Sequence, residues 1–269
     1  MLRSISLRRR GAMPDGFPFD VPVVRALESI ELATPITFFV GENGSGKSTL
    51  LEAMALAAEL PTVGSDEARA DTTLAAQRSL AKHLALTWSV RSKRGFFLRA
   101  EDFFGYAKRL SRLKADMREE IARIEREFEG RSEYAKGLAM GPAFASIEAI
   151  DGRYGGDLDG RSHGQSFLTL FQARFVPGGL HLLDEPEAPL SPQSQLALMA
   201  LLHEMIAREG QFVIATHSPI LLAFPGATIY TFDKTPPERV AFEELEHVNL
   251  TRAFLNDPAS YLRRLIQGR

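Results

Sequence analysis

The chain has 269 residues, 45% hydrophobic and 25% charged, with a formal net charge of −2 and no cysteine. That is the composition of an ordinary soluble globular protein, long enough for one large α/β domain or two small ones. It excludes disulfides, thiol catalysis and cysteine-ligated metals, and it offers no overall basic field that would advertise nucleic-acid binding. Two local basic clusters, Arg8-Arg9-Arg10 and Arg91 to Arg94, read most plainly as solvated surface. No apolar run approaches ~18 residues and the N-terminus lacks an apolar signal core. The expectation is a cytoplasmic protein with no direct membrane insertion, tied to any membrane only through a partner.

Residues 2–7 and 23–32 read as strands. Between them lies a rigid loop, Asp15 to Pro22, that carries Phe17 and Phe19. The β-branched and aromatic run Ile36-Thr37-Phe38-Phe39-Val40 then reads as a buried strand. It leads into Gly41-Glu42-Asn43-Gly44-Ser45-Gly46-Lys47-Ser48-Thr49, which fits the phosphate-loop pattern G-x-x-x-x-G-K-[ST]. Ordinary residue frequencies produce such a match by accident in roughly one chain in a hundred of this length. The helix formers Leu50 to Ala57 follow, completing the order strand, glycine loop, helix. The N–H groups of Asn43 to Lys47 can wrap a phosphate at the positive end of that helix. Lys47 adds a charge for the β- and γ-phosphates, and the Ser48 hydroxyl can ligate Mg²⁺.

Residues 62–82 are mixed, a loop with room for a short helix. Leu84 to Val90 reads as a strand, Lys93-Arg94-Gly95 as a turn, and Phe96-Phe97-Leu98 as a returning strand that makes a hairpin ending near Arg99 to Phe104. Residues 105–130 are helical, with Leu110, Leu113, Met117, Ile121, Ile124 and Phe128 on one face. That stripe covers fewer than three heptads, so packing within its own domain is favoured over a coiled-coil seam. Residues 151–160 read as a flexible loop. Arg161-Ser162-His163-Gly164-Gln165-Ser166 comes next, then a helix from Phe167 to Phe175; a Ser and a Gly at a helix start expose N–H groups and a hydroxyl.

Leu180-His181-Leu182-Leu183 is a short strand ending in Asp184-Glu185-Pro186-Glu187. Acids at the C-terminal end of such a strand sit where ligands bind in open α/β sheets. Asp184 can hold Mg²⁺ and Glu185 can deprotonate an attacking water. Glu187 has no assigned role and reads as surface or loop bracing, and His181 reads as an inward strand residue. Ser191-Pro192 opens a helix that runs to Arg208 and stops at Gly210. Gln211 to Thr216 is another buried strand, followed by His217 at the ligand edge. Ala227 to Phe232 and Val240 to Glu243 are strand-like, and a helix closes the chain near Ser260 to Gln267.

Five elements in this order, the phosphate loop, the Phe-rich hairpin end, Ser162-His163-Gly164-Gln165, the Asp184-Glu185 strand and His217 after a strand, resemble the ATP-binding cassette class of P-loop ATPases. The phrases Phe38 to Ser48, Phe96 to Glu101, Ser162 to Leu168 and Leu183 to Ala188 are similar to a group of small stand-alone bacterial ATPases related to the SMC-type and DNA-repair ATPases. The resemblance implies an α/β P-loop fold. Its core sheet would be mostly parallel, with an antiparallel N-terminal β subdomain and a helical insertion at about 102–160 in one domain of residues 1–269. It implies ATP and Mg²⁺ as cofactors and Mg-dependent hydrolysis, with Lys47, Glu185 and His217 catalytic and His217 sensing the γ-phosphate. The nucleotide would be held by Gly41, Glu42, Asn43, Gly44, Ser45, Gly46, Lys47, Ser48 and Thr49, and across an ATP-driven homodimer by Ser162, Gly164 and Gln165. The metal would be held by Ser48 and Asp184. The class also implies a residue before the loop that stacks on adenine; Phe17 and Phe19 both stand open for it, with a plain hydrophobic plug as the equal alternative.

Two departures from the class pattern are visible. Arg161 and His163 replace a Leu and a Gly of its signature, and the usual Gln after the hairpin strand is absent, leaving Arg99 or Glu101 in its place. A DNA-associated or defence-related switch and a transporter subunit are the alternative roles; an unknown protein partner is compatible with all of them.

Overall fold

The computed structural model describes residues 1–8, 14–63, 75–154 and 163–267. In chain order the first elements are β1 (Leu2–Leu7), α1 (Pro22–Arg25), β2 (Ser29–Glu31), β3 (Ile36–Val40), α2 (Lys47–Ala57) and α3 (Ala75–His83). Then come β4 (Leu84–Trp88), β5 (Gly95–Arg99), α4 (Ala100–Glu127), α5 (Glu133–Tyr154), α6 (His163–Arg174) and β6 (Leu180–Asp184). The chain continues with α7 (Pro192–Ala207), β7 (Gln211–Ala215), α8 (Pro219–Leu222), β8 (Thr228–Thr231), β9 (Glu238–Arg239), α9 (Glu246–Asn256) and α10 (Pro258–Gln267).

β3, β6 and β7 are buried at every residue. Strands with no polar side need cover on both faces, which is the condition of a parallel sheet between helices. They form the centre of a six-stranded sheet in the order β5-β6-β7-β3-β8-β9, parallel except for β9. A second, antiparallel sheet has the order β2-β1-β4. One apolar cluster fills the space between the two sheets around α2, with Phe39, Leu50 and Leu51 fully buried. The other lies on the opposite face of the core sheet under α6 and α7, around Phe167, Phe171 and Phe212. The sheets are tied together at Gln211, whose amide bonds both the N–H and the C=O of Leu2 at 2.7 Å.

The expected architecture is present, with four local corrections. The hairpin between residues 84–90 and 96–98 does not form: β4 pairs with β1, whereas β5 is the edge of the core sheet beside β6. The signal was in the pattern, since Phe96, Phe97 and Leu98 are all buried and a half-exposed hairpin strand would alternate. Residues 23–25, expected as strand, are helical. Pro22 starts that turn and Val23 and Val24 are buried, so packing overrides β-branched propensity. Residues 151–154, expected as loop, are the last turn of α5. Val240 to Glu243 is not a strand: β9 precedes it and Phe242–Glu244 is a 3-10 turn, with α9 following.

The arm at 102–160 is helical as expected over its described part. α4 packs on α5, burying Ile121 and Ile124 of the apolar stripe, while Leu113 of the same stripe stays 43% exposed. Lys114 of α4, nearly buried, ion-pairs with Asp151 of α5.

Candidate functional site

The site begins with glycine geometry. Gly41, Gly44 and Gly46 all have positive φ, at 146°, 83° and 98°. At Gly46 a side chain would also collide with its surroundings, because an added Cβ would lie 2.8 Å from Val21 Cγ1. The loop is thus held closely over the buried turn at residues 21–24. Among the described residues, the N–H groups of Asn43, Gly44, Gly46 and Lys47 donate to no protein acceptor. That is a concave set of donors at a helix N-terminus, the arrangement that receives a phosphate.

Lys47 opens α2 and is 5% exposed. Its Nζ donates to the carbonyls of Gly41 at 2.6 Å and Glu42 at 2.9 Å. Burial lowers its pKa, opposed by the carboxylates of Glu185 and Asp184. Ser48 Oγ donates to Asp184 Oδ1 at 3.2 Å across 136 residues of sequence. Burial raises the Asp184 carboxyl to about 7, with the Ser48 hydrogen bond pulling the other way. Asp184 ends β6 and Ser48 opens α2, so the parallel sheet brings the two hard oxygen donors together.

Glu185 follows directly with φ 49°, a left-handed backbone that turns the chain off the sheet edge. Its carboxylate lies 3.9 Å from His217 Nε2, and both side chains are partly exposed. Burial lowers the His217 pKa, and the Lys47 charge adds to the shift. Glu187 is mostly buried, as bracing requires, and accepts the His217 backbone N–H at 2.8 Å. The turn between them is closed by Ala188 N–H to Glu185 O and Leu190 N–H to Glu187 O. Lys47, Ser48, Asp184, Glu185 and His217 are thus gathered at one edge, where β3, β6 and β7 end. His181 stays away from it, buried against Phe96, Phe175 and Phe212.

Not every expected residue is placed there. Ser162 lies outside the described residues, and Gly164 and Gln165 form part of the first turn of α6. Arg99 is held by Glu52 at 3.2 Å and by Asp102 at 2.7 Å. Gln77 also bonds Glu52, so Arg99 links α2 and α3 to the start of the arm. The side chain of Glu101 is not described. Phe19 is 4% exposed and packs edge-on against His83, which makes it a core plug; Phe17 is 56% exposed.

One polar residue escaped the sequence reading. Asp233 accepts the Glu42 N–H at 2.6 Å and pins the start of the phosphate loop. With Glu42, Asn43 and Ser45 it lines a cleft of about 560 Å³ that extends to Thr235 and Glu246. Its signal was positional: it stands just beyond β8, at the same sheet edge as the other acids.

Residues 23–134, less than half of the chain, match the family model described as AAA domain. The fold is α/β, with a mostly parallel core sheet, an antiparallel N-terminal sheet and a helical arm. No curated protein sequence matches the chain. Among solved structures, a nucleotide-free ATP-binding cassette from an ABC transporter is similar at 17% identity, with 96% of each chain covered and a TM-score of 0.47. An Smc head domain from Pyrococcus furiosus, with an extended coiled coil and bound to the C-terminal domain of ScpA, is 12% identical over 94% of this chain and 99% of that one, at a TM-score of 0.46. A dimeric ATP-binding cassette in a post-hydrolysis state with ADP and Pi is 14% identical over 90% of this chain and 99% of that one, at 0.41. Among the described residues, no helix is long and apolar enough to cross a membrane.

Proposed function

We propose that the protein binds Mg·ATP and hydrolyses it, working as an ATP-driven homodimer with two nucleotides between its subunits. The observation that carries the reading is the Ser48–Asp184 contact at 3.2 Å, beside Lys47 and next to Glu185. A hydroxyl and a carboxylate are the donors that Mg²⁺ takes alongside waters and substrate phosphates. An acid held near neutrality by burial is also a fitting partner for a cation. When bound, Mg²⁺ would neutralise charge on the transferring phosphoryl group.

The chain's own groups supply the rest. The open N–H groups of the loop bind phosphate oxygens, and Lys47 exchanges its carbonyl partners for them. Glu185 accepts the proton of the attacking water. His217 stands beside Glu185 with its backbone fixed by Glu187, so it can donate toward the γ-phosphate and hold Glu185 in place. Gly164 and Gln165, in the first turn of α6 with Ser162 preceding them in sequence, would cap the nucleotide of a second subunit. His163 adds a side chain to that cap.

Lys47→Ala should abolish ATP binding by calorimetry. Glu185→Gln should keep ATP binding and lose hydrolysis of order 10²-fold or more. Turnover within a few-fold of wild type would remove Glu185 as the base. In the Glu185→Gln background, light scattering should give a monomer with ADP and a dimer with ATP, and Ser162→Arg should stay monomeric while still binding ATP. A wild-type protein that remains monomeric at saturating ATP and still turns over would refute the cap in trans.

A further inference from the structure

Away from the nucleotide site, a recess of about 250 Å³ opens beside the antiparallel sheet. Arg8, Ala57, Lys82, Leu86, Trp88 and Arg91 line it. These residues come from four separate places. Arg8 follows β1, Ala57 ends α2, Lys82 is in the last turn of α3, and Leu86 and Trp88 are on β4 with Arg91 just beyond. The fold therefore brings Arg8 and Arg91, one from each basic cluster of the sequence, to a single recess that the half-buried Trp88 also lines. Backbone contacts fix the geometry: Arg8 N–H bonds His83 O at 2.7 Å, and Leu2 and Leu7 pair with Trp88 and Leu84.

Among the described residues that line the recess, every charged side chain is a cation. Among the described residues, neither Arg8 nor Lys82 has an ion-pair partner, and both are exposed. Arg91 lies 3.8 Å from Glu59, but Lys93 holds the same carboxylate more closely, at 3.3 Å. Nothing in the ATPase reading uses these groups. One aromatic side chain and three cations lining the same recess match a ligand that carries both a planar base and phosphates. The volume suits one nucleotide unit. A duplex buries the faces of its bases in its own stack, so it cannot offer one to Trp88.

We propose that this recess binds single-stranded nucleic acid, with one base stacked on Trp88 and adjacent phosphates on Arg8, Lys82 and Arg91. The net charge of −2 conceals such a site, because three cations suffice locally while acids elsewhere cancel them. The proposal does not depend on the nucleotide site, although the P-loop helix α2 runs from one to the other. Its eleven residues put Ala57 about 15 Å from the phosphate loop.

The test is direct because Trp88 is the only tryptophan in the chain. A twelve-nucleotide oligo-dT titrated into the full-length protein without ATP should quench its fluorescence and saturate. With three phosphates neutralised, affinity should fall with salt at a log–log slope near −2, roughly 20-fold between 50 and 200 mM. Binding of a labelled oligonucleotide, read by anisotropy, should weaken roughly five-fold or more in Trp88→Ala and be largely restored in Trp88→Phe. Lys82→Glu should weaken it at least as much and leave ATP turnover unchanged. Lys47→Ala should bind the oligonucleotide as wild type does, which separates failure of this site from failure of the ATP site. Three results would each overturn the proposal: absence of quenching at 50 mM salt, equal affinity for a duplex of the same length, or equal quenching by poly-glutamate, which would mark a generic polyanion surface.

Discussion

His181 gives a quantitative check on the packing that holds Asp184 in place. It is fully buried on β6, three residues before Asp184, among Phe96, Phe175 and Phe212, with ring centroids 5.0 to 5.1 Å away. Its Nε2 accepts the Val176 N–H at 3.2 Å. Burial lowers its pKa from 6.5 to about 4, with a smaller opposing pull from the Gln211 backbone. The folded protein therefore takes up this proton less readily than the unfolded chain does. Below pH 6.5 the unfolded state gains a proton that the folded state refuses, and stability falls until the pH reaches the folded pKa. Between pH 8 and pH 5 the loss from this one group is about 2 kcal/mol. His181→Phe keeps an aromatic ring in the stack and removes the titration, but it leaves the Val176 N–H without its acceptor, at a pH-independent cost of about 1–3 kcal/mol. Urea unfolding of both proteins at pH 8, 7, 6 and 5 measures the difference between them. The wild-type advantage at pH 8 should shrink by about 2 kcal/mol at pH 5. Parallel stability curves would refute the claim that the imidazole is buried neutral, and with it the packing assigned to β6.

Three further substitutions probe the site and its scaffold. Gly46→Ala places a Cβ 2.8 Å from Val21 Cγ1 at a φ of 98°, so it should cost about 1–3 kcal/mol in urea melts and weaken ATP binding measured by calorimetry; unchanged affinity would show that the loop has another way to settle. Glu187→Ala removes the acceptor of the His217 N–H, and steady-state kinetics should show kcat falling several-fold with ATP Kd little changed; a variant with wild-type kcat would mean that His217 needs no brace. Ser191→Ala removes the cap that Ser191 Oγ gives the Ser194 N–H at 3.2 Å, with an expected loss of about 1 kcal/mol in thermal or urea melts and no change in nucleotide affinity.

Local signals with a mechanism could be read from the sequence alone. The phosphate loop was legible because a run of glycines before Lys-Ser has few other uses, and the folded chain gives all three of its key glycines positive φ. Ser191-Pro192 announced a helix start, and the fully apolar strands announced a sheet covered on both faces. The place of Asp184 and Glu185 at the sheet edge was legible because acids that end a buried strand sit at its C-terminal rim. Partnership over long distances in the chain was a different matter. Whether Phe96 to Leu98 returned to β4 or joined β6 depended on which surface the rest of the protein offered, and both faces were already covered at β6. Asp233 became a loop anchor only when β8 docked beside β3 and brought it to the Glu42 N–H. Arg8 and Arg91 stand 83 positions apart and looked like two unrelated patches of solvated charge. Only the pairing of β1 with β4 set both at the same recess, because register across a sheet is fixed by packing that no single segment contains.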